Sequence, residues 1–238
     1  MQGKRLALVI VVSGSALLFE ACNFQPAHTG PMETFPIDVP LGNAERAKID
    51  INLSAGEVTL QGGGNSLLQG SIDYNVPAWK PELRVVNVGS STDVTVKQPE
   101  GHKLGGNVRY IWDLRVSNSP LLDIAINCGA GHQKLTLGET KLRSLKVNIG
   151  AGQVDVDLKG HPTRDYDVAI SGGVGQATVH LPQGVGILAE AHGGIGSINV
   201  EGLRKKGDHW ENELYDTAKV IVHAKVEGGI GEIRLIAD

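Results

Sequence analysis

The chain has 238 residues, a formal net charge of −4, 41% hydrophobic and only 4% aromatic residues. Thirty-two glycines in a chain this apolar exclude disorder, so the glycines serve folded backbone. Two cysteines exclude a disulfide framework, and the acidic balance excludes an electrostatic footprint for nucleic acid.

The first 22 residues read as an export signal. Lys4 and Arg5 precede the apolar run Leu6–Phe19, which is too short for a membrane span of about 20 residues but suits a secretory signal. The run ends at Ala21-Cys22, and a small residue directly before a cysteine resembles the lipobox of bacterial lipoproteins. Such signals are cut before the cysteine, whose thiol is acylated. Phe19 and Glu20 depart from the usual lipobox residues, and an ordinary signal peptide or an uncut anchor is the alternative. Cleavage removes two cations and one anion, moving the net charge from −4 to −5. Residues 23–36, with Pro26, Gly30 and Pro31 and no apolar period, read as a flexible tether.

From residue 37 the chain reads as strands, and self-comparison organises them. NLSAGEVTL (52–60), NCGAGHQKL (127–135) and NIGAGQVDV (148–156) share one glycine motif, which SGGVGQATV (171–179), HGGIGSINV (192–200) and EGGIGEIRL (227–235) keep in looser form. Their last glycines fall at 56, 131, 152, 175, 196 and 231, with near-constant spacings of 21, 23 and 21 in the centre. Apolar residues alternate on both sides of each motif: Leu145, Val147 and Ile149 before Gly150-Ala151-Gly152, then Val154, Val156 and Leu158. Period two predicts strands with one buried face, and each unit reads as strand, glycine bend, strand, turn. One unit cannot bury its own apolar face, so the units stack. The expected class is all-β: a β-solenoid or parallel β-helix-like stack, with an antiparallel β-sandwich as alternative. Residues 37–126 are expected to form an N-terminal β subdomain and 127–238 the glycine-bend repeat, with an insertion at 201–216.

The strings YNVPAWKPEL (74–83), VKQPEG (96–101), NVRYIWDLRVS (107–117) and LLDIAINCGAG (121–131) resemble the toast-rack family of bacterial envelope proteins. So do HLPQGVGI (180–187), NVEGLRKKGDHWENELYD (199–216) and VEGGIGEIRL (226–235). The resemblance implies an all-β, repeat-built domain without catalytic residues. It also implies kinship with domains of membrane regulators in the cell-wall-antibiotic response and with candidate surface adhesins.

Chemical motifs are sparse. Gly152 and Gly175 are followed by strand patterns, not by the helix a dinucleotide fingerprint needs, so no nucleotide cofactor is expected. No histidine pair has zinc-site spacing, so no metal is expected. Asp155 and Asp157 share a strand face and read as solvated, and no catalytic residue is assigned. Cys128 occupies the apolar slot of Leu53 and Ile149 and reads as a small core residue. His192 aligns with Asn127, Asn148 and Ser171, polar residues expected to satisfy backbone at the bend. In the insertion, Arg204, Lys205 and Lys206 form a basic tip beside Trp210 and Tyr215, and these five are the candidate contact residues. The expected role is that of a non-enzymatic envelope lipoprotein, exported and held to a membrane through Cys22. Its partner would be an envelope protein, a wall polymer, or a second copy joined through strand edges. An accessory regulator of envelope-stress signalling and an envelope hydrolase are the alternatives.

Overall fold

The glycine motifs do not end strands; each lies in the middle of one long strand that bends there. A computed structural model describes residues 28–99 and 107–237. The signal, Cys22 and residues 23–27 of the tether lie outside the described residues, and residues 33–36, expected as tether, are already strand, paired with 71–74. In chain order the strands are β1 (Glu33–Val39), β2 (Arg46–Gln61), β3 (Leu68–Tyr74), β4 (Glu82–Val88), β5 (Ser91–Lys97), β6 (Tyr110–Val116) and β7 (Leu121–Thr136). There follow β8 (Lys141–Asp157), β9 (Tyr166–His180), β10 (Gly186–Glu201), β11 (Arg204–Lys206), β12 (His209–Glu211) and β13 (Ile221–Ile236). The one helical element among the described residues is a 3-10 turn, Pro77–Trp79. Among the described residues no helix is long and apolar enough to cross a membrane.

Six long strands form a parallel stack in the order β2-β7-β8-β9-β13-β10. Their bend glycines lie in register: Gly56, Gly131, Gly152, Gly175, Gly231 and Gly196. All six have φ between +134° and +152°, a region that favours glycine. The bend shifts the inward phase by one residue, so Leu145, Val147 and Ile149 of the first arm and Val154, Val156 and Leu158 of the second all enter one core. Each such side chain contributes about 1.5–3 kcal/mol on burial, whereas a glycine in a strand costs about 0.5–1 kcal/mol. These six aliphatics, five in β8 and Leu158 just after it, therefore outweigh Gly150 and Gly152. The stacked-repeat expectation holds, and the parallel pairing of the long strands rules out the antiparallel sandwich.

The N-terminal strands continue the same sheet. Where β7 covers one edge of β2 along its whole length, the other edge is shared: β5 pairs with Arg46–Asn52, and β6 pairs with Glu57–Gln61. Two antiparallel flaps follow, β4 on β5 and β1-β3 on β6. An aromatic cluster fills this end. The Tyr110 ring meets Tyr74, Trp79 and Trp112 edge-on at centroid distances of 6.4, 5.6 and 5.4 Å. Trp79 and Trp112 are fully buried.

The far end departs from chain order, because β13 lies between β9 and β10. The last strand of the chain is thus an interior rung, and β10 is the edge.

Candidate functional site

The rungs are not equivalent across the bend. The inner slot just before it holds Leu53, Cys128 and Ile149 in the first three rungs, then Gly172, Gly228 and Gly193. A side chain at Gly193 would meet Ile198, and one at Gly228 would meet Ile233, both about one van der Waals contact away. With these slots empty, a notch of about 80 Å³ opens between the arms, walled by Ile170, Ile198, Ile233 and glycine backbone. The bend-apex position changes in the opposite sense. It holds Ala55, Ala130 and Ala151, then Val174, Ile230 and Ile195, which are 52%, 51% and 72% exposed. Apolar exposure therefore grows along the stack towards β10.

The edge of β10 is covered on its first arm only. The 201–216 insertion folds back as the hairpin β11–β12, and β12 pairs with Leu188 and Ala189. Asn212 fastens it: its Oδ1 accepts the Ile187 N–H at 3.0 Å and its Nδ2 donates to the Val185 carbonyl at 2.7 Å. Beyond the bend, the second arm of β10 has β13 on one side and, among the described residues, no strand on the other. At the opposite end, Gly30 donates to the Asn75 carbonyl beside β3. Eight strand intervals separate β1 from β10, about 38 Å at a spacing of ~4.8 Å.

The predicted contact residues lie on this hairpin but are engaged within it. Lys206 pairs with Glu211 at 2.9 Å, and Arg204 with Glu213 at 3.3 Å. The Glu211 side-chain hydrogen bond raises the Lys206 pKa above its ordinary value, and Glu211 is lowered in turn. Lys205 places its ammonium 5.1 Å from the Trp210 ring centroid, a cation–π contact. Trp210 is half-buried against the core, and Tyr215 is half-buried beside Gly186. The structure thus brings all five residues to one edge of the molecule, with the cations already partnered.

The family model described as the N-terminal domain of toast-rack matches residues 28–180. The chain belongs to the toast-rack family. The toast-rack fold is also seen in a solved candidate cell adhesion protein from Clostridium sporogenes, 28% identical, at a TM-score of 0.84. That likeness covers 87% of this chain and 100% of that one. A candidate adhesin from Bacteroides fragilis is 13% identical at a TM-score of 0.35, covering 86% and 97% of the two chains. No curated protein matches the chain significantly.

Other residues weighed from sequence take their places in the toast-rack rungs. Cys128 lies between Leu53 and Ile149, buried, with its thiol donating to the Ala130 carbonyl at 3.3 Å, and burial pushes its pKa up. His132 and Asp155 meet at 2.8 Å on the exposed outer face of the second arm. His192 lies four rungs from His132 and on the other arm. Among the described residues no group of three or more histidines, cysteines or carboxylates is placed to hold a metal ion. The bend asparagines differ from expectation. Asn127 donates to Asn52 and Asn148 to Asn127, both at 2.8 Å, forming an amide ladder rather than bonding backbone. In-register parallel strands repeat like residues at one strand spacing, which sets amide against amide.

Proposed function

We propose that the chain is a non-catalytic binding module of the bacterial cell envelope, tethered to a membrane by an acylated Cys22 and used in adhesion. The likeness along the full length of the Clostridium sporogenes candidate adhesion protein carries this reading. The geometry is consistent with it. The described chain begins beside β3, while the uncovered apolar rungs lie at β10, about 38 Å along the stack. A lipid at Cys22 would hold the aromatic end near the membrane, and the β10 end would face outward. Two or three acyl chains suffice for stable attachment, because each buried CH₂ contributes about 0.8 kcal/mol.

The test is in-cell cross-linking and pull-down from the envelope, with Cys22→Ala as control. Recovery of a wall polymer or surface protein with the wild type, and its loss with the variant, supports an anchored binding role. Tight membrane association of Cys22→Ala overturns the lipid anchor. Absence of any cross-linked envelope component overturns the binding role.

A further inference from the structure

The free edges of this sheet are not equally protected. Natural edge strands resist pairing through charges, proline or extreme shortness. Edge strand β1 carries Glu33, Pro36 and Asp38, and β4 carries Glu82 and Arg84. The three residues of β11 are all cations. The stretch of β10 around the bend has none of these devices: Gly193–Val200 reads GGIGSINV, without a charge or a proline before the terminal Glu201, and its Ile195 and Ile198 are exposed. We propose that this edge is a dimerisation site, at which two copies of the chain pair their β10 bends antiparallel about a two-fold axis.

Three observations select a second copy as occupant. The first is the bend. β10 turns at Gly196, with φ +143°, so a straight strand cannot follow its edge across the turn. A two-fold axis at the bend lays one bend on another. The second is the extent of the free edge. β12 covers Leu188 and Ala189, with its His209 continuing opposite Glu190, and leaves the edge open on both sides of the bend. A self-paired edge needs open strand on both sides of its axis, and β10 has it there.

The third is complementarity of size. With the axis between Ile195 and Gly196, each Ile195 opposes the partner's Gly196. Gly193, whose inner slot is empty, opposes the partner's Ile198. Gly194 opposes the partner's Ser197. Every isoleucine thus meets a glycine, and the notch beside Gly193 is closed by an aliphatic side chain from the other copy. Within one chain the parallel stack sets Ile195 against Ile230 and Ile198 against Ile233, so this complementarity arises only with the antiparallel partner. The neutral segments oppose no like charges. At the ends, Glu190 faces the partner's Glu201, but Glu190 lies opposite Lys225 of its own chain and Glu201 is close to Arg234. The inference goes beyond the proposed envelope role and requires neither the lipid nor an adhesion partner.

The test uses the full chain purified from membranes in mild detergent. In sedimentation equilibrium the wild type is expected as a dimer, and Ile195→Lys should halve the sedimenting mass while keeping the far-UV circular dichroism of the folded sheet, its melting temperature falling only by what dimerisation adds. A monomeric wild type at its highest soluble concentration overturns the proposal, as does an Ile195→Lys protein that stays dimeric. Register is tested independently with the outward pair His192 and Asn199, which face each other across the axis. A mixture of His192→Cys and Asn199→Cys chains should form a disulfide-linked dimer on mild oxidation, and neither variant should do so alone. Cross-linking of either variant by itself, or none in the mixture, overturns the register.

Discussion

Gly152 lies so close beneath Gly131 that a side chain on it would overlap the Gly131 carbonyl oxygen. The same relation repeats up the stack, from Gly131 against Gly56 to Gly196 against Gly231. Glycine is required twice over here, by a φ of +134° and by backbone packed where a Cβ would stand. Gly152→Val therefore forces two central rungs apart and is expected to destabilise the fold by about 3 kcal/mol or more. A thermal melt by circular dichroism checks this, and an unchanged midpoint would mean that the bends tolerate side chains.

Gln133 is fully buried in the slot that holds Val58 and Val154 in the neighbouring rungs. Its carboxamide makes no hydrogen bond of ordinary geometry, its polar contact being with the Cys128 thiol, a weak partner. Leaving a buried polar group unpaired costs about 1–3 kcal/mol. Gln133→Leu has similar volume and removes that cost, so the urea midpoint should rise by the equivalent of about 1 kcal/mol. A lower midpoint would show that the carboxamide contributes to the core.

Alkaline pH should unfold the protein. Burial raises the pKa values of Tyr110, Tyr166 and the Cys128 thiol. Groups whose folded pKa lies above the unfolded one contribute stability in full below the unfolded value, about 8.5 for cysteine and 10 for tyrosine. That stability is lost as pH rises from there towards the folded values. The urea midpoint should thus fall progressively above about pH 9. The hydrogen bond from the Tyr110 hydroxyl to the Trp79 carbonyl, 3.0 Å, needs the protonated form. A flat midpoint between pH 8 and 11 would contradict the burial of these groups.

Asn212→Ala removes the two side-chain hydrogen bonds that tie the insertion to Val185 and Ile187, leaving the backbone bond from the Asn212 N–H to the Ile187 carbonyl and the strand pairing. The expected loss is about 1–3 kcal/mol, confined to the hairpin because the rungs remain packed. Arg204, Lys205 and Lys206 are tryptic sites on that hairpin, so limited trypsinolysis should cut the variant there well before the wild type. Equal cleavage rates would show that strand pairing alone secures the insertion.

Much of the bend was legible from single residues. The alternation around Gly152 and the alignment of Cys128 with Leu53 and Ile149 depend only on local phase, and the structure has both. His192 likewise stands in the slot of Asn148 and Ser171. The engagement of Arg204 and Lys206 was not legible, because their partners Glu213 and Glu211 meet them only once the hairpin has closed. Nor was the amide ladder, which needs three rungs side by side.

Periodicity and glycine spacing by themselves determined that the chain is all-β, that its strands bend at glycine, and which face of each is buried. These are properties of one rung, written in the alternation of its own side chains. Only the tertiary structure decided the order of the rungs. With near-identical motifs at 175, 196 and 231, the local pattern is unchanged by exchanging neighbours, so nothing local distinguishes β10 from β13 as the edge. Placing β13 inside lets the insertion return along β10 and cap its first arm. That arrangement leaves the uncharged stretch around its bend, Gly193–Val200, as the open end of the stack.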